Sequence, residues 1–315
     1  MKIIVCQLII ALAVICASAQ TSTKSAPEWK ATVKVVDEVG QPVADANVEI
    51  GFYVQPPLDQ SVAMDSIVGK TDTNGLFTTS HLSTGSISLG FQVTKVGYYP
   101  TTKGHEFAKF KENDPAKWNP NVTLVLKKIG QPIPMYAKSV NLGMPVFDKP
   151  TGFDLMAGDW IAPYGKGINA DIVFEAHLDQ RAENDADYNL TVSFPKTGDG
   201  IQEFTVSEAE KGSGLLSSHE APTDGYQSQW VQTRNRKPGQ PEKGNLDLNR
   251  NYFFRIRTVL DENGNVKSAF YGKIYGDFLK FRYYLNPTPN SRNVEFDPKQ
   301  NLLGGLKSTE QVSAP

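Results

Sequence analysis

The chain has 315 residues, 39% of them hydrophobic and 21% charged, with 32 Lys and Arg against 34 Asp and Glu for a net charge of −2. That is an ordinary globular composition, long enough for two domains with real hydrophobic cores. So even a charge balance shows no electrostatic footprint for nucleic acid or for an anionic membrane surface.

The N-terminus reads as an export signal. Met1-Lys2 is a short basic start, Ile3 to Ala17 is an almost continuous apolar run, and Ala17-Ser18-Ala19 is a small-x-small cleavage site ahead of Gln20. The expectation is a signal peptide over residues 1–19 and an exported protein, periplasmic or secreted. A retained anchor and a lipidated Cys16 are the competing readings, but Ile15 is not the small residue that lipidation prefers. Cleavage removes Cys6 and Cys16, the only cysteines. The mature chain then has no thiol for a disulfide, a nucleophile or a metal. No second apolar run is long enough to span a membrane.

Residues 20–27 read as a flexible leader, and a period-two pattern follows. Trp29, Ala31, Val33 and Val35 alternate with more polar positions, as do Ala46, Val48, Ile50 and Phe52, then Ile87, Leu89, Phe91 and Val93, then Val122, Leu124 and Leu126. Side chains alternate faces along a strand, so each run has one apolar and one wetter face. With turn clusters between them, residues 28–129 predict a β-sandwich. Pro132, Pro134, Pro145 and Pro150 then mark residues 130–152 as an extended connector. A second antiparallel β-domain is expected over 153–300, with strands around 172–178 and 190–194, long loops over 195–248, and strands at 252–260, 266–275 and 278–285. Asn263-Gly264 between two of these strands predicts a type I′ hairpin turn. Residues 301–315 are expected to be a disordered tail. The fold class is all-β, two antiparallel sandwich-like domains joined by a proline-rich connector.

The stretch "GKTDTNGLF" over 69–77 has the composition of a phosphate cradle, a calcium loop or a turn. Met64 stands where a phosphate loop needs glycine, and no helical pattern follows. After Asp72 and Asn74 no further carboxylates arrive at calcium spacing. A turn remains. Together with Gly40-Gln41-Pro42-Val43, Ala46-Asn47-Val48 and Gly97-Tyr98, this turn makes residues 28–128 resemble the carboxypeptidase regulatory-like domain, a transthyretin-like seven-strand sandwich. The resemblance implies that fold and a non-catalytic spacing or binding role. Some relatives stand beside a zinc peptidase, but none of His81, His105, His177 and His219 has His-x-x-Glu or His-Glu-x-x-His spacing. Others form a Lys–Asn isopeptide bond. Lys34 and Asn121 are the matching pair, yet Lys34 alternates away from the apolar face. The second half resembles secreted bacterial proteins, a resemblance that brings no activity with it.

Three constellations in the second half are candidates for function. Glu175, His177 and Asp179 share one strand face, a set that could ligate a metal or exchange protons, although the clean apolar opposite face favours a plain solvated strand. Arg255 and Arg257, with Lys280 and Arg282, alternate with apolar residues near Tyr252, Tyr271, Tyr275 and Tyr284. Aromatic faces stack on sugars and guanidinium groups grip carboxylates or sulfates, so Tyr252, Arg255, Arg257 and Tyr284 outline a polysaccharide face; the competing reading is an aromatic core under a charged surface. Trp160 and Tyr164 sit in a glycine-rich loop, either as a ligand platform or as a plug between domains. No Gly-x-Ser-x-Gly motif occurs. The expectation is an exported non-catalytic protein with a structural or partner-binding role. The alternatives are carbohydrate binding and, through Glu175, His177 and Asp179, hydrolysis. No cofactor is implied, and the expected partner is an envelope or extracellular protein or a polysaccharide.

Overall fold

The computed structural model describes residues 28–55, 63–82, 86–106, 120–247 and 249–315. The expected signal peptide and leader lie outside the described residues. The protein is all-β, and no helix occurs among the described residues, so none is long and apolar enough to cross a membrane.

The first seven strands are β1 (Glu28–Val36), β2 (Asn47–Gln55), β3 (Ala63–Lys70), β4 (Leu76–Leu82), β5 (Ser86–Thr94), β6 (Thr101–Glu106) and β7 (Asn121–Val125). They form two sheets, β4-β1-β7 and β3-β2-β5-β6. The core between them is the set that the alternation marks: Ala31, Val33 and Val35 meet Val48, Ile50, Phe52, Leu89, Phe91, Val93, Val122 and Leu124. Burying each of the larger side chains contributes about 1.5–3 kcal/mol. Thr32 pairs with Asn121 in the parallel β1–β7 ladder, and both Lys34 and Asn121 are exposed. They are not the buried pair that an isopeptide bond requires.

One loop design recurs three times, at Asp37–Gln41, Asp72–Leu76 and Asp261–Asn265. The aspartate Oδ1 accepts the backbone N–H groups two and four residues on, at 3.0 and 2.8 Å from Asp37, 2.8 and 2.8 Å from Asp72, and 2.9 and 2.8 Å from Asp261. The glycine N–H closes the turn onto the aspartate carbonyl, and Gly40, Gly75 and Gly264 have φ of 81°, 73° and 80°. A Cβ on Gly75 would stand 2.3 Å from the Val35 carbonyl oxygen. Asn74 and Asn263 do not share the positive φ, so the expected type I′ turn at 263–264 is instead a turn ending in one left-handed glycine. In all three loops the carboxylate is spent on its own backbone, which is why calcium-like spacing here is a turn.

The second half contains β8 (Ile133–Asn141), β9 (Thr151–Asp154), β10 (Asp159–Trp160), β11 (Ile172–Ala182), β12 (Asp185–Ser193), β13 (Gly200–Phe204), β14 (Gln229–Arg236), β15 (Lys243–Gly244), β16 (Asn251–Leu260), β17 (Val266–Asp277), β18 (Lys280–Leu285) and β19 (Phe296–Asn301). Two six-stranded sheets result, β10-β9-β11-β12-β14-β15 and β13-β16-β17-β18-β8-β19. Phe153, Ile172, Phe174, Leu190, Val192, Tyr252, Phe254, Ile274, Phe278, Phe281 and Tyr283 fill the space between them. The second sheet is covered on its other face as well. There Met135, Ala137, Tyr275, Tyr284, Phe296 and Val312 form one cluster, and Ala221, Phe253, Ala269, Tyr271 and Val294 another.

Three expectations change. Residues 133–141 are not connector but β8, paired with β18 from Tyr136↔Leu285 to Asn141↔Lys280. Pro132 and Pro134 precede the first of those pairs, so their missing N–H groups cost that ladder nothing. The stretch 195–248 carries β13, β14 and β15 rather than loops alone. The tail is ordered on the sheet. Val312 is buried against Tyr284 and Phe296, the Tyr284 hydroxyl donates to the Ala314 carbonyl at 2.9 Å, and Lys138 pairs with Glu310 at 3.0 Å. An apolar sheet face needs cover, and isolated residues such as Val312 supply it without showing any periodicity.

The two halves are packed together, not merely tethered. Thr102 N–H donates to the Gly212 carbonyl at 3.0 Å, Val125 N–H to Ala209 at 2.9 Å, and Gly214 N–H to Pro100 at 2.8 Å. The buried Lys127 ammonium donates to the Leu216 and Ser217 carbonyls, both at 3.1 Å, and pairs with Glu210 at 3.0 Å. The Tyr99 hydroxyl donates to the buried Glu295 carboxylate at 2.7 Å, and burial together with that bond pushes the phenol pKa up.

Candidate binding cleft

Four of the residues singled out for a ligand face are taken up by the protein itself. Tyr252 is 1% exposed, with its ring 5.2 Å from Phe278 and 5.5 Å from Trp230. Tyr284 is fully buried between Tyr275 and Phe296. Neither offers a ring face to a sugar. Arg255 donates to the Gly198 and Thr223 carbonyls at 2.7 and 3.0 Å and lies over the Tyr226 ring. Arg257 grips Asp171 through Nε at 2.7 Å and Nη2 at 2.9 Å, and reaches Asp154 at 3.1 Å. It has φ of 54° where the β16 register shifts, and its N–H bonds Asp199 at 2.9 Å. Burial raises the Asp171 pKa against the pull of Arg257. Asp154 ends below its ordinary value despite burial, because the backbone N–H groups of Asn169, Ile168 and Ala157 and the Arg257 charge outweigh it. Arg257 is thus a clamp between the two sheets.

Trp160 and Tyr164 part company. The Trp160 ring packs edge-on to Phe153 and Phe174 at 5.4 and 5.6 Å, at the margin of the core, while Tyr164 is 45% exposed. Asp159 fixes the loop by accepting from the Trp160 and Lys166 N–H groups at 2.9 and 3.1 Å. Glu175, His177 and Asp179 are all exposed on β11. His177 Nδ1 hydrogen-bonds Asp148, which raises the imidazole pKa, and Asp179 pairs with Arg181, which also holds Asp185 and Asp187. Among the described residues no group of three or more His, Asp or Glu is placed to hold a metal ion.

A concavity lies elsewhere, on the outer face of the β13–β19 sheet, where the cover of the tail and the 205–216 segment stops short. It measures about 560 Å³. Gly276, with φ of 97°, and Asp277, whose Oδ1 accepts from Leu279 and Lys280 N–H at 2.6 and 3.1 Å, make the tight β17–β18 turn. That turn puts Lys280 and Arg282, two residues apart, on one face. The Arg282 guanidinium lies 5.6 Å from the Tyr275 ring centre. Across the cleft Arg250 is held by Glu203 at 3.2 Å and by the Asn245 carbonyl at 2.9 Å, above the Trp230 ring. Phe204, Asp247 and Asn249 complete the wall. Among the described residues no ion pair holds Lys280 or Arg282, whereas Arg250, Arg255 and Arg257 are all engaged. The sequence marks Lys280 and Arg282 through their alternation. It gives no hint of Phe204, Asp247 or Arg250, which join them only through folding.

No protein-family model matches the chain, and no curated protein matches it. Solved structures that match include a 3-chlorocatechol 1,2-dioxygenase from Rhodococcus opacus, 17% identical over 34% of this chain and 62% of that one, with a TM-score of 0.24. A streptococcal ancillary pilin is 10% identical over 87% of this chain and 62% of its own, with a TM-score of 0.21. A candidate carbohydrate-binding protein from Bacteroides uniformis is 8% identical over 83% and 98%, with a TM-score of 0.19. The chain spans 62% of the length of the first two. Identities and scores this low assign no function.

Proposed function

We propose that this is an exported, non-catalytic binding protein of the cell envelope or extracellular space, and that its cleft takes a polysaccharide bearing carboxylate or sulfate groups. The observation behind this reading is the pair Lys280 and Arg282, which no ion pair holds among the described residues, in a cleft of about 560 Å³ where Arg282 lies over the Tyr275 ring. A guanidinium binds a carboxylate or sulfate in two-point fashion, and an ammonium adds a point charge. Asp247, Asn249 and Glu203 on the wall can exchange hydrogen bonds with sugar hydroxyls. Export rests on the N-terminal signal pattern. The first sandwich, with its resemblance to carboxypeptidase regulatory-like domains, is a spacer in this reading, fixed to the binding half through Lys127 and Tyr99.

The test is the affinity of the mature chain for soluble polygalacturonate and chondroitin sulfate, with dextran as the neutral control. The expected result is binding to the acidic chains alone, weakened by salt and reduced about tenfold or more in a Lys280→Ala, Arg282→Ala variant. Absence of binding across the panel would overturn the polysaccharide reading and turn the search to protein partners.

A further inference from the structure

The sandwich of the second half is not closed at one end. Along β11 the inward row is Ile172, Phe174, Ala176 and Leu178, and the first three are fully buried. Leu178 belongs to the same row yet is 38% exposed, because the opposing sheet no longer reaches over it. Next to it lies a cavity of about 210 Å³ walled by Leu142, Met144, Phe147, Tyr188 and Leu279. Leu142, Met144 and Tyr188 also pack against the central core, so the cavity is a continuation of that core left unfilled. Phe147, at its rim, is 42% exposed.

Two cations complete the wall. Arg234 and Arg236, two residues apart on β14, lie opposite Tyr188 and Ala186 of β12. Arg234 is committed to Glu242, at 2.7 Å. Arg236 is half-buried, and among the described residues no hydrogen bond or ion pair holds it. A guanidinium at the lip of an apolar cavity, held by no hydrogen bond or ion pair among the described residues and with only the Glu242 charge acting on it, complements a carboxylate on an apolar body. A buried carboxylate behind the Tyr188 and Arg234 wall bears on the orientation. Asp277 is buried, its charge acts on Tyr188 and Arg234, and its Oδ2 has no hydrogen-bond partner. A ligand carboxylate pushed inward would meet that anion, so the acid group stays at the lip and the apolar part covers Leu142, Leu178 and Leu279.

We propose that this open end is a second binding site, for a small apolar monocarboxylate such as a medium-chain fatty acid or an arylalkanoic acid. It is independent of the polysaccharide cleft, shares no residue with it, and buries apolar surface where the cleft offers charge.

Calorimetric titration of the mature chain tests it with three probes. Decanoate and 3-phenylpropionate distinguish aliphatic from aromatic acids, and decanol lacks the carboxylate. The expected outcome is saturable binding of at least one acid and much weaker binding of decanol. Arg236→Gln should weaken the acid about tenfold or more while leaving decanol unchanged. Leu178→Gln should weaken all probes that bind. Both positions are partly exposed, so both variants should unfold at the wild-type temperature, which separates a lost site from a lost fold. Absence of binding by both acids, an unchanged acid affinity in Arg236→Gln, or decanol binding as tightly as decanoate would each overturn the proposal.

Discussion

The two sandwiches solve the same problem differently. In the first, each sheet has one apolar face turned inward and one wet face, and a single core holds it. In the second, the β13–β19 sheet is buried on both faces, by its partner sheet and by the chain segments 205–228 and 286–315. Double cover has consequences that single cover does not. It forces polar side chains inside, and those must be paired or kept neutral. The fully buried Lys273 is one such group, held by the Ser217 hydroxyl at 3.3 Å between the rings of Tyr275 and Tyr284. It also makes the charged residues of the second half structural wherever they are covered and available to a ligand only where the cover ends, as at Lys280 and Arg282.

The sharpest break of this contrast is Arg257→Ala. It strands the buried carboxylates of Asp171 and Asp154, and the expected loss is about 3–5 kcal/mol by denaturant unfolding. Lys34→Ala on the wet face of the first sandwich should stay within about 0.5 kcal/mol. A loss no larger for Arg257 than for Lys34 would remove the idea of a clamp between sheets.

Deleting residues 306–315 comes next. It uncovers Tyr284 and Phe296 and removes the bonds from Tyr284 and Lys138, an expected loss of about 2–4 kcal/mol with new binding of a hydrophobic dye. An unchanged melting temperature would mean that the tail does not cover the sheet in solution.

Lys273→Met should act in the other direction. Burial lowers the Lys273 pKa well below its ordinary value, so the unfolded chain binds the proton more readily than the folded one. Stability due to this residue therefore rises with pH from the lowered value to about 10.4 and is flat above it. Methionine keeps the volume and removes the proton, for a gain of order 1 kcal/mol or more at pH 7 that disappears above about pH 10.5. A pH-independent difference between variant and wild type would show that the buried amine is not the cause.

The smallest effect belongs to His177. Its pKa is raised by the Asp148 hydrogen bond, so the pair stabilises the fold below the ordinary imidazole value and the contribution fades as pH rises through the raised one. Both side chains are exposed, so His177→Gln should lower the melting temperature only slightly at pH 5.5 and by less at pH 8. A large loss at either pH would mean that this strand face does more than meet solvent.

The first sandwich was legible almost residue by residue, because Val33, Ile50, Phe91 and Leu124 announce their face through their own neighbours. The second half was legible as strands but not as surfaces. Tyr252 and Tyr284 lie near Arg255, Arg257 and Arg282 in sequence, which reads like a ligand face, yet Phe278, Trp230, Tyr275 and Phe296 enclose them. Alternation reports which side of a sheet a residue takes. It does not report whether a distant segment, such as the one carrying Val312, lies on top. The cleft was half visible, as Lys280 and Arg282, while Phe204 and Arg250 come from stretches with no pattern of their own.

What the sequence determined by itself is local: the three Asp-x-x-Gly turns, whose carboxylates bond their own backbone, and the parity of each strand. Both follow from interactions across a few residues, so a few residues are enough to read them. What only the tertiary structure decided is which polar groups keep a partner. Arg257 meets Asp171 across 86 positions, Tyr99 meets Glu295 across 196, and among the described residues no ion pair or hydrogen bond holds the Arg236 or Arg282 side chain. Pairing at that distance depends on where the chain returns, and it is the residues left over by that pairing that face a ligand.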